Sequence, residues 1–439
     1  MKDGRHKVVA IVAPHFVPSN LAAVHRARLW SLHLGEFGWD PVIVTTHWKY
    51  YEEKPEMELL ELLPADLKVI RTKAFGTRPI RLVGDIGIRA FHWHRRALCN
   101  LAQTGKMDFL HITIPSNFSA CLGRLVHHKF GVPYGIDYID PWVHQFPGSE
   151  KLFSRAWGHK QLANILEPWA VKNATLITGI NRAYYEGMLQ RNPAVAGHAV
   201  LAAMPYGGCE NDHEYVRLHP RPARFFSGHE GKLNLFYAGA LLPKAFGVLE
   251  RLLESLVEMR KRRPELARQF HLHFAGTGKS PKDPKGFNVR PQVERHGLGD
   301  CVSEYPQRIP YLEVLSHLHA ASGVLVLGST EPHYSPSKIF QSIMSRRPVF
   351  AMLHEASTAV QTLRASNAGD LVTFTEDKLP ETHSLSVQLE RFLGAIKPEP
   401  TNIDFSAFQK ESARETTRVL AEALDRAWAR AQSCGGQSK

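Results

Sequence analysis

Residues 8–13 read Val-Val-Ala-Ile-Val-Ala, an unbroken apolar run of strand length. A strand with one wet face alternates polar and apolar residues. One without alternation must be covered on both faces, as in a parallel sheet layered between helices. A helical stripe follows, Ala27, Trp30, Leu34 and Phe37, stopped by Gly38, and Val42, Ile43 and Val44 resume a strand. That is a βαβ unit, for which a right-handed crossover is expected. Strand-like runs at 68–70, 109–112, 134–136 and 175–178 and helical stretches at 88–101 and 117–130 continue the alternation. A segment at 207–231, rich in Gly, Pro, Arg and His and without clear periodicity, reads as an interdomain linker. Beyond it a second series has strands at 233–238, 270–275, 323–327 and 348–352 and helices at 248–260, 311–321 and 338–345. The expected fold class is α/β, two doubly wound domains facing each other across a cleft. A last stripe, Val419, Leu420, Ala423, Leu424 and Ala427, is expected to pack back on the first domain.

A chain of 439 residues suits two cores better than one, and 44% hydrophobic residues argue against disorder. The formal charge of +12 favours anionic partners: nucleotide phosphates, anionic lipid head groups or nucleic acid. A local basic run, Arg260, Lys261, Arg262 and Arg263, closes a helical pattern, where cations suit the helix dipole. Cys99, Cys121, Cys209, Cys301 and Cys434 are widely spaced, odd in number and without a CxxC pair. A disulfide framework or zinc ribbon is therefore not expected, and a reducing, cytoplasmic compartment is. The start of the chain lacks the pattern of a signal peptide, and no apolar stretch is long enough to span a membrane.

Dinucleotide binding would need GxGxxG straight after the first strand, where the chain reads Ala13-Pro14-His15-Phe16-Val17-Pro18. Residues 271–280 end like a P-loop, but the first glycine position falls at His273, and Pro281 follows Ser280 where a helix should begin. His271 and His273 share a strand face and, with no third ligand, read as half-exposed histidines rather than a metal site. The informative segment is 329–341, between an apolar strand and a helix. Ligands of open α/β sheets sit outside the carboxyl ends of strands. Ser335 as N-cap and Pro336 as the first helical residue would leave Ser337 and Lys338 in a turn whose free N–H groups attract phosphate. Ile339, Phe340, Ile343 and Met344 form the buried stripe. Lys338 and Gln341 stand three apart on another face, the one able to reach a phosphate and the other a ribose. An ordinary capped helix with solvated polar residues would read the same way in isolation.

Several segments, in order, resemble the GT-B-fold glycosyltransferases, and in particular the large retaining family often called GT4. Residues 236–244, Phe-Tyr-Ala-Gly-Ala-Leu-Leu-Pro-Lys, resemble that family's "YxGxLxxxK" opening of the nucleotide domain, and 272–278 its "hxhxGxG" strand and turn. Leu298 to Val302, with Ile309-Pro310-Tyr311, resembles the approach to the base-binding loop. Pro336-Ser337-Lys338 with Arg347-Pro348-Val349 resembles the donor helix and the strand behind it. In the first half, residues 18–26 stand at the donor-facing loop and its following arginine, 204–208 resemble the interdomain "PNG" turn, and 137–142 are like an "RDPW" cleft segment.

The resemblance implies two Rossmann-like domains: an acceptor-side domain at 1–210 with a C-terminal helix at about 405–432, and a nucleotide-sugar domain at 232–400. It implies sugar transfer from a nucleotide sugar, UDP- or GDP-linked, to a hydroxyl acceptor, with retention and without a required metal or other cofactor. The donor-binding residues it implies are Asn20, Arg26, Gly239, Lys244, Gly276, Ile309, Ser337, Lys338 and Gln341, and the catalytic ones His111, Asp140 and Glu331. His111 stands where the family's sugar-contacting histidine ends a strand, and Asp140 could orient an acceptor hydroxyl or act as base. The chain departs from the pattern at three positions. The ribose-holding glutamate falls at Gln341, its EX7E partner at His333 with Glu331 two residues earlier, and the phosphate-binding arginine at Ala240. Lys244 and Lys338 remain as phosphate cations. Residues 78–96 mix arginines with Phe91 and Trp93, compatible with an anionic membrane carrying a lipid-linked acceptor or with a solvated helix. The alternatives are a nucleotide-sugar epimerase, which would need its own acid/base carboxylates, a basic nucleic-acid-binding protein with salt-steep affinity, and a catalytically silent binder.

Overall fold

A computed structural model describes residues 5–435 apart from 79–82, 115, 144–148, 279–285, 333, 335 and 398–401. His333, Ser335, Ser280 and Arg81 therefore lie outside the described residues. The chain divides into two compact units, Met1–Tyr206 with Ala413–Lys439, and Gly207–Ser412.

The first unit is built on seven strands, β1 (Lys7–Val12), β2 (Trp39–Thr46), β3 (Lys68–Thr72), β4 (Phe109–Ile114), β5 (Tyr134–Tyr138), β6 (Leu176–Gly179) and β7 (Val200–Ala203). They are parallel throughout, in the order β3-β2-β1-β4-β5-β6-β7. The interior of β1 is fully buried, as its lack of alternation requires. Between strands run α1 (Ala22–His33), α2 (Ile86–Gln103), α3 (Cys121–Phe130) and α4 (Arg155–Val171). The C-terminal helix Ala413–Gly435 belongs to this unit and packs on α1, burying Leu420, Ala423, Leu424 and Ala427. The apolar stripe read from sequence thus finds the core it needed.

The second unit has six parallel strands, β8 (Leu233–Ala238), β9 (Phe270–Ala275), β10 (Val302–Tyr305), β11 (Gly323–Leu327), β12 (Val349–His354) and β13 (Gly369–Phe374), ordered β10-β9-β8-β11-β12-β13. Both sheets contain the 3-2-1-4-5-6 order in which the strand sequence reverses beside the first strand, between β1 and β4 and between β8 and β11. The loops on the two sides of that reversal diverge and leave a crevice at the carboxyl ends of the strands.

Residues 207–231, read from sequence as a linker, differ from that reading. They hold the helix Glu210–Leu218, which packs on the helix Tyr311–Ala320, and Tyr311 Oη donates to Asp212 at 2.7 Å. The helix has only nine residues, too few for its apolar positions Tyr215 and Val216 to make a visible period. His271 and His273, read as half-exposed, are buried: their Nε2 atoms meet Ser303 Oγ at 2.8 Å and Asn234 Oδ1 at 2.9 Å.

Candidate functional site

In the second unit the reversal brings the loop after β8 beside the loop after β11. Gly239 follows β8 with φ +117°, a conformation open to glycine but strained for side-chain-bearing residues. A Cβ there would stand 3.3 Å from Lys338 Nζ, so the bare backbone lets the ammonium approach. Lys338 opens the helix Lys338–Met344 and reaches back over the Tyr237 ring, its Nζ 3.9 Å from the ring centroid. The Nζ is buried and has no hydrogen-bond partner among the described residues. Burial alone lowers its pKa to about 7 from the ordinary 10.5, only partly offset in energy by the ring's negative face. A buried cation without a counter-ion is an unfavourable arrangement in an empty protein and becomes favourable when an anion fills the gap.

The neighbouring groups fit that requirement. Lys244 lies half-exposed, 3.7 Å from Glu331 in a loose pair worth little by itself. The two loops are joined where Thr330 N–H donates to the Lys244 carbonyl at 3.2 Å. Gly276, after β9, has φ +74° and its Cβ position stands 3.7 Å from Gly239 N, so two glycine turns meet. The Gly276-Thr277-Gly278 turn is held by Asn288 Nδ2, which donates to the Thr277 carbonyl at 2.6 Å, and by Glu304, which accepts from the N–H groups of Asn288, Val289 and Arg290. Ile309 is a buried side chain, so only its main chain can face a ligand. Ser337 is exposed at the helix start and makes no side-chain cap. Pro336 precedes the helix rather than opening it, because helical geometry begins at Lys338. The stripe Ile339, Phe340, Ile343 and Met344 is buried as expected.

Gln341 Oε1 lies 2.7 Å from His213 Nε2, and His213 Nδ1 lies 2.9 Å from His319 Nε2. The three form a relay in which one imidazole orients the amide and the second orients the first. Burial, followed by the neighbouring His319, lowers the His213 pKa to about 4, and burial with nearby arginines does the same for His319. Both rings are therefore neutral above that pH. Sequence reasoning missed this pair and the Tyr237 ring. His213 lies in the supposed linker and 128 positions from Gln341, so no spacing could link them.

The first unit corrects two expectations. Arg26 is not a ligand-facing arginine: its Nε and Nη2 donate to the Asp137 carboxylate at 3.0 and 2.8 Å, and its Nη1 to the carbonyls of Met204 and Pro205. Ion pair and side chains are buried, and the guanidinium also stacks on Trp30. Burial would raise the Asp137 pKa, but Arg26 outweighs it and holds the carboxyl below its usual range. His111 does not end a strand. It sits within β4, fully buried, 3.3 Å from Thr178 Oγ1, and burial lowers its pKa to about 4. The imidazole is neutral and enclosed, and β4 runs on to Ile114, two residues past the run at 109–112 read from sequence. Asn20 is buried and donates to Glu56 at 2.7 Å. Asp140 alone of this group is exposed, just past the carboxyl end of β5. At the end of β1, His15 and Ser19 converge on Glu53, whose pKa is raised by burial yet held down at about 2 by those two partners. Their separation of 38 and 34 positions from Glu53 left no sequence signal.

Among the described residues no group of three His, Cys, Asp or Glu could hold a metal ion, and Cys99, Cys121, Cys209 and Cys301 form no disulfide.

No family model matches the sequence, and no curated protein sequence matches it significantly. Solved structures match over nearly the whole length. The N-terminal domain of Candida albicans trehalose-6-phosphate phosphatase aligns with a TM-score of 0.63 at 12% identity, covering 97% of this chain and 98% of that one. Anabaena HepE in complex with UDP and glucose aligns at 0.53 and 14% identity, covering 98% and 99%. Trehalose 6-phosphate synthase from Burkholderia multivorans aligns at 0.55 and 10%, covering 99% and 98%. At these identities the likeness establishes the fold, the two-domain α/β architecture of GT-B glycosyltransferases.

Proposed function

We propose that the protein is a glycosyltransferase that binds a nucleotide sugar at the carboxyl ends of the second sheet and transfers its sugar to a hydroxyl acceptor. The observation that carries this reading is Lys338: a buried ammonium without a hydrogen-bond partner among the described residues, beside a glycine turn at the strand-order reversal. A diphosphate supplies the missing counter-charge. As the glycosidic bond breaks, the leaving diphosphate gathers negative charge, and Lys338 with Lys244 stabilises it without a metal. Gln341 is set to hydrogen-bond a ribose hydroxyl, and Gly239 and Gly276 let the main chain come close. Support for the donor class comes from the fold, since HepE, a similar structure, holds UDP and glucose.

In this reading Glu331, half-buried beside Lys244, acts at the sugar, and Asp140, exposed after β5 of the first unit, is the carboxylate proposed to orient the acceptor hydroxyl. Retention of configuration, a UDP- or GDP-linked donor and a cytoplasmic setting belong to the same proposal. A thermal-shift and hydrolysis screen against UDP-, GDP-, ADP- and dTDP-sugars, repeated with Lys338→Ala, tests it. Stabilisation by one nucleotide class, lost in the variant, is expected; no stabilisation by any of them would sink the donor-site assignment. Sugar on an added hydroxyl acceptor separates transfer from epimerisation or silent binding.

A further inference from the structure

Helix α4 is apolar on its outer face as well as its inner one. Inward it buries Ala163, Glu167, Ala170 and Val171, with Leu166 packed against the core, while Leu162, Ile165 and Trp169 stand outward with 44, 69 and 36% of their surface exposed. Leu162, Ile165 and Trp169 are spaced at i, i+3 and i+7, so they line one helix face. In the turn before the helix Leu152 and Phe153 project further, at 71 and 88% exposed. Water-facing helices of globular units keep their large apolar side chains to the inner face.

The charge around this stripe is mostly positive. Helices α2, α3 and α4 pack in that order, α2 and α3 lying against strands of the first sheet. Across all three the sequence holds a single carboxylate, Glu167, and that one is buried 2.7 Å from Arg191. The exposed charges are Arg95 and Arg96 on α2, Lys129 on α3 and Lys172 at the end of α4. Arg124 stacks on the Trp169 ring at 4.7 Å and donates to the Trp169 carbonyl at 2.7 Å. Glu150, ahead of the helix, is the exposed carboxylate nearest to it in sequence.

We propose that this face docks on an anionic lipid bilayer, with α4 lying in the plane of the surface. Leu162, Ile165, Trp169 and the Leu152-Phe153 turn enter the head-group boundary, and the basic residues of α2 and α3 with Lys172 meet lipid phosphates. An interfacial helix needs just this order, one apolar face flanked by cations, with an aromatic ring at the boundary. An acidic protein partner would satisfy the cations but leave the single-helix apolar stripe to be matched by a groove of its own.

Co-sedimentation of the full chain with vesicles separates the possibilities. Binding is expected to mixed phosphatidylcholine and phosphatidylglycerol vesicles, to be weak on phosphatidylcholine alone, and to fall with added salt. Ile165→Asp is expected to weaken binding roughly tenfold or more, and Lys172→Glu similarly, both with unchanged thermal melts. Arg430→Glu, an equal charge change on the exposed side of the C-terminal helix, is expected to leave it within about twofold. No binding to anionic vesicles, equal binding to neutral ones, an unaffected Ile165→Asp, or equal losses from Lys172→Glu and Arg430→Glu would each overturn the docking face.

Discussion

Replacing Lys338 by methionine should make the empty protein more stable and the ligand-binding protein useless. The side chain keeps its length over the Tyr237 ring and loses its charge. A pKa lowered to about 7 from 10.5 means that the folded state binds the proton less tightly than the unfolded chain. The penalty is fully present below about pH 7, shrinks as pH rises, and is gone above the unfolded value of 10.5. At 1.36 kcal/mol for each pH unit the upper bound is ~5 kcal/mol. Allowing for relaxation around the ammonium, ~2–4 kcal/mol at pH 7 is a reasonable expectation. For a unit of about two hundred residues that corresponds to a rise in Tm of roughly 5–15 °C. Calorimetry of both proteins from pH 6 to pH 10 reads it directly. The wild-type Tm should climb relative to the variant between about pH 7 and 10, and the gap at pH 7 should favour the variant. Saturating nucleotide should stabilise only the wild type, by about 2.7 kcal/mol at a hundredfold excess over Kd. A variant that melts at or below the wild type at pH 7, with parallel pH curves, would show that the ammonium is solvated and that the reasoning is wrong.

The same lysine predicts a proton balance: a bound diphosphate raises its pKa above 7, so at pH 8 binding should take up a proton, visible as a calorimetric heat that varies with the buffer's ionisation enthalpy. Arg26→Ala should destabilise the first unit by ~3–5 kcal/mol, because it strands the buried Asp137 carboxylate, and a denaturant melt with intact secondary structure beforehand measures it. His213→Ala should weaken nucleotide binding roughly tenfold and destabilise the empty protein by ~1–3 kcal/mol, since it leaves the Gln341 amide and His319 without their buried partner; ribo- and 2′-deoxyribonucleotides titrated side by side would show whether the binding loss is at the ribose. Gly239→Val should abolish nucleotide stabilisation, combining a strained backbone with a side chain driven at Lys338 Nζ; wild-type affinity in that variant would remove the loop from the site.

Much of the fold was legible because its strands are buried on both faces. Unbroken apolar runs such as 8–13 and 323–327 have few other physical uses, and the helical stripes between them imply crossovers. In the second unit the local order of strand, loop and helix marked only the segment before the helix that Lys338 opens; Gly239, Gly276 and Lys244 were picked out by the resemblance to the GT-B family, and Lys244 lies in a short turn past the end of β8. Arg26 and His111 were not legible. From sequence an arginine after a loop and a histidine late in an apolar run look ready to face a ligand. Whether they do depends on Asp137 and Thr178, residues 111 and 67 positions away, and on how many strands close over them.

Sequence alone therefore determined the α/β class, the two-part series of strands, the C-terminal stripe that needed a core, and which residues stand at strand ends. These follow from periodicity and turn chemistry, which act over a few residues. Only the tertiary structure decided which polar groups are already satisfied. It consumed Arg26 in a buried ion pair, enclosed His111, gave Gln341 a histidine relay in place of a charge, and left Lys338 with an aromatic face but, among the described residues, no anionic partner. Satisfaction of a polar group is a sum over neighbours brought from far along the chain, so no local reading can supply it.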